Sequence, residues 1–279
     1  MENCLVTYIY PKAECYFEDF IAGIHAQTNK DFSIIIFNDS VEDAIVKFNT
    51  LLHPFEIINL NGKTINEIRH GSVRYLIDRN DIKTIIFQDI DDIPSKSRMA
   101  VSLELLSRYD MICNDLSAFN EQGFIKENIW SERLNDLFEF DCKFIQSWNI
   151  VGLGNTAIRK ALLHKSPHFS DQVIAYDWYL FYQIMKKSGC KAIFTNSCQT
   201  YYRQHDGNIV GITNPINDQY LEYVHRVKYI HYQELIKHKF NELKGELTKL
   251  ESQKNSKRYL DNKILNKPLF WWEEPEYYV

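Results

Sequence analysis

The chain has 279 residues, 45% of them hydrophobic and 25% charged, with a net charge of -5 and a pI near 6.0. That balance suits one large domain with an appendage, and it excludes a globally basic nucleic-acid binder. No stretch approaches the roughly 18–20 apolar residues that span a bilayer. The six cysteines have no C-x-x-C spacing, which argues against a zinc site. Met1-Glu2-Asn3 runs straight into an apparent strand, so the expectation is a cytoplasmic protein with reduced thiols.

Cys4 to Tyr10 reads as a first strand and Glu14 to Gln27 as a helix, with Phe17, Phe20, Ile21 and Ile24 at helical spacing. Phe32 to Phe37 is a second strand. Val41 to Leu52 has Ile45, Phe48 and Leu52 spaced for one helix face. Phe55 to Leu60 is a third strand, Ile65 to Ile77 a helix, and Lys83 to Phe87 a fourth strand. Arg98 to Ser107 reads as helix and Asp110 to Asn114 as strand, while Asp115 to Phe144 shows no clear period. Asn155 to His164 reads as a short helix, Asp177 to Ser188 as a longer one, and Lys191 to Asn196 as a strand. Strands alternating with helices of this length predict an α/β fold with a mostly parallel twisted sheet flanked by helices.

The first domain is expected to span 1–217, and 218–279 to form a C-terminal helical extension with an aromatic tail. Phe240, Leu243, Leu247 and Leu250 make a heptad-like stripe there, which suits either packing on the same chain or a homodimer seam. The tail Phe270 to Val279 could fold back on the chain, or dock on a partner or the membrane interface.

The segment Thr84 to Pro94, T-I-I-F-Q-D-I-D-D-I-P, carries the most chemistry. A buried-type strand ends in Asp89, Asp91 and Asp92, where an open α/β sheet binds its ligands. Three like charges need a counter-charge, and a divalent cation shared with substrate phosphates supplies one. An isolated Asp-x-Asp is also a common solvated turn.

Four further features join it. Gln27-Thr28 and Asp31-Phe32 lead to Asp39, which can accept from a nucleobase N–H or serve as a turn residue or helix cap. Arg69, His70 and Arg74 precede the acidic strand, where a cation balances carboxylates or binds a diphosphate, unless the face is simply solvated. Tyr176-Asp177-Trp178 opens a helix. Asp177 there either complements the helix dipole or acts as a general base, with Trp178 as a stacking wall for a sugar. Thr200 to Gly211 gathers Arg203, suited to a diphosphate, and His205, a structural residue or a metal ligand.

The ordered set QT..DF.III.ND, IIFQDIDD, YDW and YYRQH..N..G resembles the inverting GT-A glycosyltransferases of family 2, of bacterial polysaccharide or lipopolysaccharide type, over about three quarters of the chain from Leu5 to Gly211. The resemblance implies the GT-A fold, a nucleotide-sugar donor and Mn²⁺ or Mg²⁺. It implies that Tyr10, Asp39, Arg69, Arg74, Asp89, Trp178 and Arg203 line the donor, that Asp91, Asp92 and His205 hold the metal, and that Asp177 is the base. The chain departs from the family pattern at Asn38-Asp39-Ser40, which lacks the usual Gly, at Tyr176, where Glu is common, and at the Arg-Asn pair expected before the acidic strand. UDP is the expected carrier. A dTDP-linked deoxysugar is the alternative, because the Y-R-Q-H loop is similar to that of some rhamnosyltransferases. The implied acceptor is a glycan or lipid-linked hydroxyl of bacterial surface polysaccharide, reached at the inner membrane face.

Three rival classes fit less well. A haloacid-dehalogenase-type phosphatase places its Asp-x-Asp near the N-terminus. A nucleotidyltransferase would carry a Gly-rich basic loop where Tyr10-Pro11-Lys12-Ala13-Glu14 stands. A non-catalytic nucleotide-sugar module would have no use for Asp91, Asp177 and His205 together.

Overall fold

A computed structural model describes residues 2–60, 64–165, 167–205 and 218–255. Four strands, β1 (Asn3–Ile9), β2 (Ser33–Asn38), β3 (Phe55–Asn59) and β4 (Thr84–Phe87), run parallel in the order β3-β2-β1-β4. The connections carry helices α1 (Phe17–His25), α2 (Ala44–Lys47) and α3 (Ile65–Asp78). Beyond β4 short antiparallel strands join this parallel half, so the twisted sheet is mixed at its far side. β9 (Thr156–Arg159) lies antiparallel between β4 and β6 (Met111–Asn120). β10 (Ala192–Arg203) is parallel to β6 and carries the two-residue β5 (Ile93–Pro94) antiparallel on its other side. β7 (Gly123–Lys126) forms a hairpin with β6, and β8 (Phe138–Phe140) pairs with β10.

Both faces of the sheet are covered, so its strands read as unbroken apolar runs. Cys4, Val6, Ile35, Phe37, Ile85 and Phe87 face one core with α3 and α5 (Tyr176–Ser188). Leu5, Ile34, Ile36 and Ile86 face a second core with α1 and α4 (Arg98–Leu106). Period-two alternation along each strand divides the residues between the two. Thr64 and Glu67 close a capping box at the start of α3, and Gly189, at φ 61°, ends α5 in the left-handed conformation that glycine adopts without steric cost.

Three element assignments differ from the sequence reading. Val41 to Leu52 makes only the single turn of α2. Ser40 and Asp43 are both left-handed, which breaks the entry to a longer helix, so Phe48 is buried while Ile45 and Leu52 stay exposed. Asn155 to His164 is not a helix: Thr156–Arg159 is β9, followed by a 3-10 turn at Lys160–Lys165. The region 115–144 holds the outer half of β6, then β7 and β8.

At the C-terminus, α6 (Asp218–Lys237) and α7 (Lys244–Asn255) follow, with a 3-10 turn between them. Phe240, Leu243 and Leu250 join the core cluster of α5, and Leu247 packs against it. The heptad-like stripe therefore packs on its own chain, the first of the two readings. The aromatic tail, Phe270 to Val279, lies outside the described residues, as does the boundary proposed at 217. Among the described residues no helix is long and apolar enough to cross a membrane. All six cysteines are free thiols.

Candidate active site at the strand ends

β4 stops at Phe87, and Gln88 to Asp92 cross the carboxyl ends of the parallel strands. The three acids divide by depth. Asp92 is 2% exposed, while Asp89 and Asp91 keep accessible edges. Burial, with the Asp91 charge adding to it, pushes the Asp89 carboxyl up to about 7, and Arg69 opposes the shift. Burial and the charges of Asp91 and Asp89 push Asp92 well above the usual carboxylate range.

Beneath the acids lies a cation that the sequence reading missed. Arg98 is 1% exposed. It donates to Asn114 Oδ1 at 3.0 Å, to Gln88 Oε1 and to the Phe87 carbonyl. Burial lowers its guanidinium to about 10, and Asp92 and Asp89 work against that loss. The signal was present: Arg98, Ser102 and Leu105 stand at i, i+4 and i+7 on the buried stripe of α4. Gln27, read in sequence as part of a nucleotide-strand motif, instead ties this layer together. It donates to the carbonyls of Gly23 and Ser95 and accepts from the Met99 N–H.

Asp91 faces outward. Its Oδ2 stands 3.0 Å from His205 Nε2, and the His205 ring stacks on Tyr16 at 5.5 Å. Arg203 holds this arrangement in place. Its N–H donates to Asp92 Oδ1 at 2.9 Å, its Nε to the Asp91 carbonyl at 2.8 Å, and its Nη2 to Asp19 at 2.6 Å. The guanidinium also lies over the rings of Phe119 and Tyr16, at 4.6 and 5.0 Å. Its fork is thus engaged on Asp19 and the acidic loop, beside the carboxylates where the sequence places it.

Asp177 enters from the first turn of α5, with Oδ1 accepting from the Trp178 N–H at 2.8 Å. Burial raises its carboxyl, and Arg69 and backbone N–H groups oppose the rise. Arg69 thus acts on both Asp89 and Asp177. Among the described residues no hydrogen bond commits its guanidinium. Arg74 is exposed on α3 and acts on His70 instead, so it is not brought to the acids.

The loop Gly152-Leu153-Gly154-Asn155 threads between the two groups and was not singled out in sequence, although two glycines flanking one residue mark a close backbone approach. A Cβ on Gly154 would stand 2.8 Å from Asp89 Oδ2 and 2.9 Å from Asp92 Oδ2; one on Gly152 would stand 3.6 Å from Asp177 Oδ2. Asn155 fixes the loop, accepting from the Gly152 N–H and donating to the carbonyls of Asn114 and Ile150.

Tyr10, at the end of β1, lies near enough to Asp91 and Asp89 that burial and their charges raise its phenol. Asp39, at the end of β2, is half-exposed and accepts only from Ser40 Oγ among the described residues. Ser40 has φ 66°, so the turn keeps a left-handed residue where the family pattern has Gly. Trp178 is not a sugar wall. It is fully buried, donates to the Ile145 carbonyl at 2.6 Å and stacks on His231 at 3.7 Å. Adjacent helical residues point about 100° apart, so an Asp177 aimed at the site leaves Trp178 in the core. The part of the fourth motif from Asp206 to Gly211 lies outside the described residues.

Among the described residues no three His, Cys, Asp or Glu side chains converge as a complete metal cage. The donor set still fits a phosphate-bridged Mg²⁺ or Mn²⁺, which needs only one or two carboxylates plus substrate oxygens. Asp91 and His205 are already paired, and burial and like charge raise the Asp89 and Asp92 carboxyls beside them, as expected of acids that lack a balancing cation. Asp92 is turned inward, with Oδ1 accepting from the Arg203 N–H.

Comparison of the sequence with protein-family models gives no match, and no curated protein matches it. Solved structures share the fold. S. aureus TarS 1-349 in complex with UDP-GlcNAc is 13% identical with a TM-score of 0.59, over 83% of this chain and 66% of that one. A mannosyltransferase from Pyrobaculum calidifontis in complex with GDP-Man and Mn²⁺ is 12% identical with a TM-score of 0.57, over 85% and 64%. GalNAc-T7 with UDP, GalNAc and Mn²⁺ is 11% identical with a TM-score of 0.54, over 91% and 54%. The chain therefore spans less than two thirds of the length of each of these structures. The fold is that of the GT-A glycosyltransferases.

Proposed function

We propose that the protein is a metal-dependent inverting glycosyltransferase. It moves a sugar from a nucleoside diphosphate, UDP or alternatively dTDP, to a hydroxyl of a glycan or lipid-linked acceptor in bacterial surface polysaccharide synthesis. One observation carries the reading. At the carboxyl end of β4, Asp91 pairs with His205 on one side, while Arg69 serves Asp89 and Asp177 together on the other.

Asp91 and His205 would hold Mn²⁺ or Mg²⁺, which when bound neutralises charge on the leaving diphosphate. Arg69 adds a guanidinium suited to diphosphate oxygens. Tyr10 and Asp39, at neighbouring strand ends, suit the nucleoside. Asp177, held by backbone N–H groups at the start of α5, takes the proton of the attacking hydroxyl. Attack opposite the leaving group inverts the anomeric centre, and no nucleophilic side chain is required. The buried layer of Arg98, Gln88 and Asn114 keeps the acidic loop in shape while it carries charge.

The test is a thermal-shift screen of the purified chain against UDP, dTDP, GDP, CDP and ADP, each with Mn²⁺ or EDTA. A ligand that binds only the folded state raises its stability by mass action, by about 2.7 kcal/mol at a hundredfold excess over Kd. One diphosphate should raise the midpoint, and EDTA or Asp91→Ala should abolish the rise. No rise with any diphosphate at millimolar concentration would overturn the proposal.

A further inference from the structure

From Asp91 an unbroken ladder of ring contacts runs outward to the β6–β7 hairpin. His205 stacks on Tyr16 at 5.5 Å, Tyr16 lies 5.0 Å from the Arg203 guanidinium, and that group lies 4.6 Å from Phe119. Phe119 meets Phe124 at 6.4 Å, and Phe124 meets Tyr201 at 5.6 Å. The strand register explains the alignment: Arg203 pairs with Phe119, Phe119 with Phe124, and Tyr201 with Ser117, so period-two alternation puts these side chains on one face of the sheet. The outer rung is open. Phe124 is 56% exposed, on a strand that among the described residues pairs only with β6. An apolar patch kept in water and continuous with a ligand site marks a surface that something covers.

We infer that Phe124, Tyr201 and Phe119 form a carbohydrate subsite that stacks a pyranose of an extended acceptor, remote from the reacting sugar. The inference rests on the glycosyl-transfer reading and adds the acceptor class, a hydroxyl-rich oligosaccharide. Two features favour a sugar over a lipid. Exposed aromatic rings offer flat apolar faces that match the C–H faces of pyranoses. Beside them, Gln199 donates to the exposed Asn128, an amide pair suited to sugar hydroxyls and unsuited to acyl chains.

The experiment applies the full-length chain to an array of immobilised oligosaccharides and, in parallel, to vesicles of phosphatidylcholine with phosphatidylglycerol. Phe124→Ala should weaken capture of the bound glycan at least tenfold, and Phe124→Trp should retain or strengthen it, with the melting midpoint reporting an intact fold. Three results would overturn the inference: Phe124→Ala captures glycan as well as wild type; wild type captures no glycan yet still binds a nucleoside diphosphate with Mn²⁺; or the substitution weakens vesicle binding instead. If wild type binds neither glycan nor any nucleoside diphosphate, the parent reading falls as well.

Discussion

Asp177 and Trp178 are neighbours on one turn of α5, yet they enter regions built on opposite terms. In front, polar groups are buried with partners. Arg98 has three acceptors, Asp92 accepts from Arg203, and Asn155 braces the glycine loop. Behind, the His231 ring is 1% exposed against Trp178, Tyr179 and Tyr182, and neither of its nitrogens has a hydrogen-bond partner among the described residues. Burial opposes charge on both sides, but in front hydrogen bonds and neighbouring charges work against it, as at Arg98 and Asp92, whereas behind nothing does. A buried polar group is costly unless it is paired or uncharged, and the protein uses one solution on each side of the helix.

The pair of substitutions Asp177→Asn and Trp178→Ala separates the two regions most sharply. Asp177→Asn should lower turnover by about 10²–10⁴, the usual worth of a general base, with melting midpoint and nucleotide affinity near wild type. Trp178→Ala should cost about 3–5 kcal/mol of stability through the cavity it leaves, seen in denaturant unfolding. Wild-type turnover in Asp177→Asn would remove the base assignment. A Trp178→Ala protein that is stable but fails to turn over would return Trp178 to the site.

The front region was largely legible in sequence. An apolar strand ending in acids can only place them at a sheet edge, and Asp91, Asp177, Arg69 and His205 stand together there. What escaped were residues whose role depends on what lies beneath them. Arg98 sits in the polar run Ser95-Lys96-Ser97-Arg98, and only its place on the stripe of α4 reveals its burial. Pattern shows Arg203 as a cation beside the acids, while its engagement with Asp19 depends on where the fold brings α1 to the end of β10. β9 was misread as helix because four residues, Thr-Ala-Ile-Arg, are too few for a period, and the following Lys-Ala-Leu-Leu has helical composition.

The rear region makes a pH prediction. Burial lowers His231 to about 3, from an ordinary value of 6.5. Between those values the unfolded chain binds the proton and the folded chain does not, so stability rises with pH across that window. The full contribution is present above 6.5 and is lost as pH falls toward 3, about 2–3 kcal/mol by pH 4.5 at 1.36 kcal/mol per unit. His231→Phe keeps a ring against Trp178 and removes the proton site. The gap in unfolding free energy between wild type and variant should therefore widen toward the variant as pH drops from 7 to 4.5. A gap that stays constant would mean that His231 finds a partner.

The smallest expected effect tests whether the front region extends to the nucleoside end. Ser40 holds φ 66°, a conformation that costs a non-glycine residue roughly 1–3 kcal/mol and persists where surroundings impose it. Here Asn38 imposes it, by accepting from the Val41 N–H at 2.9 Å and donating to the Val41 carbonyl and to Asn59, which closes the turn around Asp39 and Ser40. Ser40→Gly should change stability by no more than about 0.5 kcal/mol, because relief of strain is offset by the extra freedom of the unfolded chain. Ser40→Val should cost more, about 1–2 kcal/mol, because a β-branched residue resists this backbone. If the turn aims Asp39 at the base, Ser40→Val should also weaken nucleoside diphosphate binding severalfold while Ser40→Gly does not. Equal affinities in both variants would detach Asp39 from the nucleoside and leave the acidic loop to bind the donor through its diphosphate alone.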